Sequence, residues 1–229
     1  MTPIAVILAR GGSKRLPGKN LLQINGKSLT QLAVECALEN DLLTILSSDS
    51  HEILSQHFNR SPVLFQRSKE SASDTATSEI AVLEVLNSFG FGDEEEVILL
   101  PPTSPTRSAK HLRTFLLAWN DLKVTSTFTQ AISVVENRQD FWIHGKQGAE
   151  RIRTRLSGKS EPRRTQERTP WFLETSAIYL SNVGQLRRTE SFVGDQVALI
   201  PLDPITAMDI DSEIDFQLAR LFLETKSNE

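Results

Sequence analysis

Short apolar runs of strand length alternate with longer stretches of helical periodicity through the first half of this chain, and no other feature constrains its fold as much. Ile4–Leu8 is an uninterrupted apolar run that stops at a glycine-rich segment. After the turn-like Asn25-Gly26, residues Leu29, Leu32, Ala33, Cys36 and Ala37 recur on one helical face, with Ser28 as candidate N-cap. Leu42–Leu46 and Pro62–Phe65 read as further strands, and a helix follows with Val82, Val85, Leu86 and Phe89 on one side. Val97–Leu100 is again a strand, broken by Pro101-Pro102, before a helix marked by Leu112, Phe115, Leu116 and Trp119. Such alternation predicts parallel βαβ units in an open α/β sheet. Strand character returns at Phe172–Leu180, and the chain ends in an amphipathic helix carrying Ile214, Leu218, Leu221 and Phe222.

A chain of 229 residues is long enough for a substantial core, and residues 1–229 are expected to form one domain with an elaboration. The balance of 25 Lys+Arg against 29 Asp+Glu gives a net charge of −4, which leaves no global polybasic field for nucleic acid or anionic membranes. The single cysteine, Cys36, sits on an apolar helix face and reads as core; it excludes an internal disulfide and a cysteine-based zinc site. His51, His57, His111 and His144 lack metal-ligand spacing. No apolar stretch approaches the roughly 18 residues of a membrane span, and no basic segment precedes the first short apolar run as in a signal peptide. A soluble protein of a reducing compartment, the cytoplasm, is the expectation.

The segment Arg10-Gly-Gly-Ser-Lys-Arg-Leu-Pro-Gly-Lys-Asn20 directly follows the first strand, where open α/β sheets bind ligands. Arg10, Lys14, Arg15 and Lys19 bring four cations into ten residues, and Gly11, Gly12 and Gly18 let backbone N–H groups approach a ligand closely. Amide donors with Lys and Arg suit a polyphosphate. The segment is not a Walker A loop, which needs Gly at the position of Ser13 and Ser or Thr at that of Asn20, nor does it hold G-x-G-x-x-G. The alternative is a basic surface loop.

Near the other end, Met208-Asp-Ile-Asp-Ser-Glu-Ile214 places Asp209 and Asp211 on one side of an extended segment. Two such carboxylates suit a hard cation such as Mg²⁺; alternatively Asp211 or Ser212 caps the last helix, with Ser212 and Asp215 as a capping box. Asp49, at a strand end, either faces the site or caps a helix. Between Lys146 and Arg168 eight Lys/Arg stand against three Glu, and Arg151, Arg153 and Arg155 alternate as they would along one strand face. That region is either a solvated basic hairpin or an arm that meets an anionic ligand or a partner subunit.

Taken in order, Ala9–Asn20, Ser48-Asp49 with Glu52-Ile53, Ala72–Thr75, Leu99–Arg107 and Met208–Asp211, with the looser Ser176–Tyr179, make the chain resemble the acylneuraminate cytidylyltransferases, or CMP-sialic acid synthetases. The resemblance implies a Rossmann-like nucleotidyltransferase fold with a mainly parallel central sheet. A small protruding dimerisation element would occupy residues 136–170 and make the protein a homodimer. It implies transfer of CMP from CTP to the anomeric hydroxyl of a nonulosonic acid, with Mg²⁺ and release of pyrophosphate. Residue by residue, Arg10, Ser13, Lys14, Lys19 and Asn20 match the family's CTP loop, and Arg67, Ala76 and Ser78 its cytosine and ribose stretch. Asp209 and Asp211 match its metal carboxylates. Tyr179 and Phe192 fall where its sugar pocket is expected, with Arg164 and Gln166 near the basic position that a partner subunit contributes. Lys19, Arg10 and Asp211 are the candidate catalytic residues. Pro101 stands where the family usually has Gln, and Val193 where a second aromatic occurs. Two other functions fit parts of the pattern: a glycosyltransferase using Asp209 and Asp211 as a DxD motif, and a non-catalytic nucleotide-binding homologue.

Overall fold

The structure, a computed structural model, describes residues 2–145, 148–158, 162–194 and 196–226, without the side chains of Arg155 and Ser157. Among the described residues eleven strands occur in chain order: β1 (Ile4–Leu8), β2 (Gln23–Ile24), β3 (Lys27–Ser28), β4 (Thr44–Ser48), β5 (Val63–Gln66), β6 (Glu96–Leu99), β7 (Gln130–Asn137), β8 (Trp142–Gly145), β9 (Gly148–Arg151), β10 (Trp171–Asn182) and β11 (Val197–Pro201). Seven of them form one sheet in the order β11-β7-β10-β6-β1-β4-β5, in which β10 alone runs against its neighbours. The expected open, mainly parallel sheet is therefore present, with the Rossmann-like strand order of nucleotidyltransferases. The α-helices among the described residues are α1 (Leu29–Leu38), α2 (His51–Leu54), α3 (Ser78–Phe89), α4 (Ala109–Thr125), α5 (Ile152–Ser157), α6 (Val183–Thr189) and α7 (Glu213–Lys226).

The sheet is apolar on both faces because helices cover both, the usual condition of parallel strands. Along β1, Ala5 and Ile7 pack with Ala33, Val34 and Cys36 of α1 and with Phe115 and Trp119 of α4. Ile4 and Val6 point the other way, against Val82, Val85 and Leu86 of α3 and Leu186 of α6. Ser28 caps α1 as its position predicts: its Oγ accepts from Gln31 N at 3.0 Å, and the Gln31 side chain returns the bond to Ser28 N at 2.7 Å.

A third, smaller cluster determines where the site lies. Leu16 from the first loop, Ile24, Leu29, Ile210 and Phe216 with Ala219 of α7 pack together. This apolar contact seats the carboxyl-terminal segment against the amino-terminal loop. It also corrects the predicted face of α7: Ile214, Leu218 and Leu221 are 72%, 53% and 62% exposed, and the helix packs instead through Phe216, Ala219 and Leu223.

Residues 138–170 are an insertion between β7 and β10, which pair antiparallel from Trp171↔Asn137 to Ser181↔Gln130 with an irregularity between Glu174 and Tyr179. The expected arginine strand is not formed. Arg151 ends β9, while Arg153 lies in α5; the Arg155 side chain and Lys146 lie outside the described residues. A short hairpin, β8–β9, is present and Arg163 and Arg164 are exposed, but Arg151, Arg153 and Arg168 are not solvated. Arg153 is 1% exposed, stacks over the Trp171 ring at 4.5 Å and donates to the carbonyls of Asn137, Gln139 and Thr169. Arg151 and Arg168 reach Asp140 at 3.2 and 3.1 Å, with Arg153 at 3.8 Å. Among the described residues, Asp140 is a carboxylate that these guanidinium groups share. Replacing Asp140 with alanine should loosen the insertion first, since it leaves several partly buried like charges together. Limited proteolysis should then cut within 138–170 at least tenfold faster, with the melting of the main sheet little changed; unchanged cleavage would show that Asp140 does not hold the insertion.

Candidate functional site

In the sheet, β1 lies between β4 and β6, so the chain reverses its direction of travel across the sheet between β1 and β6. The crevice beyond the carboxyl ends of strands at such a reversal is where open α/β sheets take ligands. A cleft of about 520 Å³ opens there. Arg10, Ser13, Lys14, Lys19 and Asn20 line it from the loop after β1, Arg67, Ala76 and Ser78 from the segment after β5, and Pro101, Pro102 and Thr103 from the loop after β6. Every residue assigned to the nucleotide by resemblance therefore borders one cavity.

The loop after β1 is held in shape from beneath. Gly11 N donates to Asp49 Oδ1 at 2.8 Å, and a Cβ on Gly11 would come within 2.9 Å of Ser50 Cβ, so the close approach of the two segments requires glycine. Ser50 caps α2 through Ile53 N, so Asp49 is not the helix cap; it braces the loop through Gly11 and does not line the cleft. Gly18 turns with φ of 65° into the left-handed region. Asn20 Nδ2 donates to Arg10 O at 2.9 Å, and Thr30 Oγ1 donates to Asn20 O at 2.9 Å. Asn20 thus closes the loop on itself as well as facing the cleft.

The first loop and the loop after β6 both meet the 208–211 segment at one residue, Ile210. Ile210 N donates to Thr103 O at 2.8 Å, and Lys19 Nζ donates to Ile210 O at 2.6 Å. Lys19 also pairs with Asp211 at 3.4 Å, and Arg15 pairs with the same carboxylate at 2.8 Å. Arg10 and Lys14 pair with Asp74 at 3.1 and 2.7 Å. Capping of α7 falls to Ser212 and Asp215, whose carboxylate accepts from Ser212 N at 2.8 Å and Asp211 N at 3.1 Å. Asp209 and Asp211 are therefore not consumed by the cap. Asp209 Oδ1 is buried with no hydrogen-bond partner among the described residues. Burial, and after it the neighbouring Asp211, push the Asp209 carboxyl above the ordinary carboxylate range, against an opposing hydrogen bond with Thr103. Two oxygen donors, one of them buried and unsatisfied, form a set that a hard divalent cation fits.

The residues expected at a sugar pocket are less well gathered. Tyr179 is half-buried on β10, and its hydroxyl donates to Glu174; burial and that bond hold the phenol protonated, well above its ordinary range. Phe192 is 1% exposed and packs at 6.0 Å against the Tyr179 ring as part of the core, so it backs Tyr179 rather than forming a wall of the cleft. Arg164 and Gln166 lie exposed at a short turn of the insertion, Arg164 paired with Glu167 at 3.4 Å, and neither borders the cleft of its own chain. Asp74 and Thr103 are neighbours of the cleft that site assignment from sequence passes over. Asp74 and Thr103 stand inside the quoted motifs, but a carboxylate in a cationic cleft is counterintuitive until its ion pairs are seen.

The comparisons with known proteins agree with this geometry. A cytidylyltransferase family model matches residues 4–150. The chain is 29% identical over 231 residues to the CMP-N,N'-diacetyllegionaminic acid synthase of Legionella pneumophila, covering 98% of this chain and 97% of that protein. It is 26% identical over 220 residues to an N-acylneuraminate cytidylyltransferase of Streptococcus agalactiae, covering 94% of this chain but 52% of the relative; the chain spans about half the length of that protein. In fold it is similar to a CMP:2-keto-3-deoxy-manno-octonic acid synthetase solved with CTP (TM-score 0.67, 17% identity, 99% and 100% coverage). A 4-diphosphocytidyl-2C-methyl-D-erythritol synthase is similarly related in fold (TM-score 0.66, 11% identity, 97% and 99% coverage). With a nucleotide-type cleft at the reversal of the sheet and a family match over well more than half its length, the chain belongs to the cytidylyltransferase family.

Proposed function

We propose that the protein transfers CMP from CTP to the anomeric hydroxyl of a nonulosonic acid. The observation that carries this reading is the meeting of Lys19 and Asp211, 192 positions apart, across one peptide at the mouth of a cationic cleft. In the reaction a bond forms between the sugar oxygen and the α-phosphorus, the bond to the β-phosphate oxygen breaks, and the hydroxyl proton is lost as pyrophosphate leaves. Little of this chemistry requires a protein nucleophile; holding the reactants in line and stabilising charge are what the site must do. Lys19 and Arg10, with the loop amides, would hold the phosphates. Arg67 would face the base: its N–H donors suit the O2 and N3 acceptors of cytosine and oppose the N3–H of uracil. Asp209 and Asp211 would hold Mg²⁺, for which the unsatisfied buried oxygen of Asp209 is the support. That ion, when bound, neutralises phosphate charge and lowers the pKa of an attacking hydroxyl.

A homodimer is part of the same reading. The insertion with Phe141 and Trp142, and the adjoining start of β10 with Phe172 and Leu173, present exposed apolar side chains that fit an interface between copies. Arg164 and Gln166 would then serve the cleft of the other copy, where a guanidinium could meet the sugar carboxylate. No helix among the described residues is long and apolar enough to cross a membrane. CTP as substrate and a buried, unpaired Cys36 fit a cytoplasmic protein.

Pyrophosphate release measured with CTP, Mg²⁺ and a panel of nonulosonic acids tests the proposal. Release that depends on one of these acceptors is expected, at least a hundredfold faster than with UTP. A glycosyltransferase would release none, and CTP binding with no turnover on any acceptor would favour the non-catalytic homologue.

A further inference from the structure

Behind Arg67 lies a chain of hydrogen bonds that reaches a carboxylate outside the cleft. Arg67 is buried, and among the described residues it makes no direct ion pair. Its Nε donates to Ser71 Oγ at 3.3 Å and its Nη2 to Ser71 O. Burial lowers the pKa of the guanidinium, and the charges of Asp49 and Glu84 oppose that shift. Glu84, in the second turn of α3, uses both oxygens on the same tight turn: one accepts from Ser68 N at 3.1 Å and the other from Ser71 Oγ. Ser71 N in turn donates to Ser68 Oγ at 3.2 Å. The carboxylate therefore clasps both ends of the turn whose last carbonyl and hydroxyl fix the arginine.

We propose that Glu84 is a positioning residue for base selection: through Ser71 it holds the Arg67 guanidinium in the orientation that tells cytosine from uracil. The inference rests on the reading of the cleft as a CTP site. Its physical basis is that N3 is an acceptor in cytosine and a donor in uracil, so only a guanidinium held in place meets one with a hydrogen bond and the other with a clash of N–H groups. A guanidinium free to swing would still supply charge to either nucleotide but would lose the distinction. An amide in place of the Glu84 carboxylate has one acceptor oxygen instead of two; with that oxygen on Ser68 N it meets the Ser71 hydroxyl only as an N–H donor, which competes with Arg67 Nε and the Ser68 hydroxyl for its two lone pairs.

The test is direct binding of CTP and UTP to the full chain, measured by calorimetry, which requires no acceptor sugar. In Glu84→Gln the preference for CTP over UTP should fall about tenfold, mostly by weaker CTP binding, with UTP affinity changed less than about threefold. Ser71→Ala, which removes the middle link, should give the same loss and serves if the first variant does not fold. In an Arg67→Lys background, adding Glu84→Gln should change the preference less than twofold, because the group it positions is gone. Equal weakening of both nucleotides, an unchanged preference in the folded variant, or additive losses in the double variant would overturn the role of Glu84. Absence of any CTP preference in the unaltered protein would overturn the CTP reading instead.

Discussion

Asp211→Asn is expected to lower turnover by at least about a hundredfold while the protein remains folded, because the variant keeps the size of the side chain and loses one of the two carboxylates available to a divalent cation. Asp209→Asn should be equally inactive, but its stability should move in the opposite direction from an ordinary loss-of-contact variant. The native carboxyl of Asp209 holds its proton more tightly than the unfolded chain does, chiefly because of burial. Its contribution to stability is therefore present below the unfolded value, near pH 4, and is lost as the pH rises through the raised native value. At neutral pH without divalent cations the asparagine variant, relieved of a buried charge, should melt above the unaltered protein. The difference should close as the pH falls towards 4. Thermal melts in chelator across this range check the sign; a variant that melts lower at pH 7 would mean that Asp209 is held by neighbours rather than strained by them. Near-normal turnover in either variant would end the metal assignment.

Arg107→Ala should cost about 3 kcal/mol of stability. The side chain is buried between the loop that carries Pro101 and strand β10, and its Nη1 donates to Pro101 O at 3.0 Å and Ala177 O at 2.8 Å. Removing it leaves the buried Ala177 carbonyl without this donor, at roughly 1–3 kcal/mol, leaves the Pro101 carbonyl with Ser104 N at 3.4 Å, and opens a cavity in addition. The loss is partly offset, because a buried charge whose Nε has no hydrogen-bond partner disappears with it. A fall in melting temperature of about 6–12 °C is the expected reading for a chain of this length. Because Pro101 borders the cleft, nucleotide affinity should fall in the same variant. A shift of less than about 2 °C would show that the charge cost cancels the hydrogen bonds.

The sequence made the nucleotide half of the molecule legible for a specific physical reason. Parallel strands covered on both faces must be uninterrupted apolar runs, and the helices between them must show one buried side, so β1, α1, α3 and α4 stand out. The strands β7 and β11 do not: Gln130 and Ser133 interrupt one, and in the other Leu199 is 42% exposed on a sheet edge. In α7 the longest apolar stripe is the solvent-facing one, and only the contact of Phe216 with Ile210 and Leu16 reveals which side packs. The insertion misleads because a run of arginines reads as exposed charge, whereas Arg153 spends its donors on carbonyls and its flat face on Trp171. Site residues that act by local loop chemistry, such as Gly11 and Asn20, could be picked out by position. Asp74 and Glu84 could not, since their partners lie elsewhere in the sequence.

Four cations of the first loop share two carboxylates, Asp74, which borders the cleft, and Asp211, which pairs with Arg15 and Lys19. An incoming group with one negative charge merely swaps one ion pair for another and gains little by entering. A string of linked anionic oxygens can take over from both carboxylates together, gaining from the second displacement the proximity already established by the first. If the cleft takes CTP as proposed, the arrangement would act as a threshold on ligand valence, favouring a triphosphate over single phosphates and carboxylates at equal concentration.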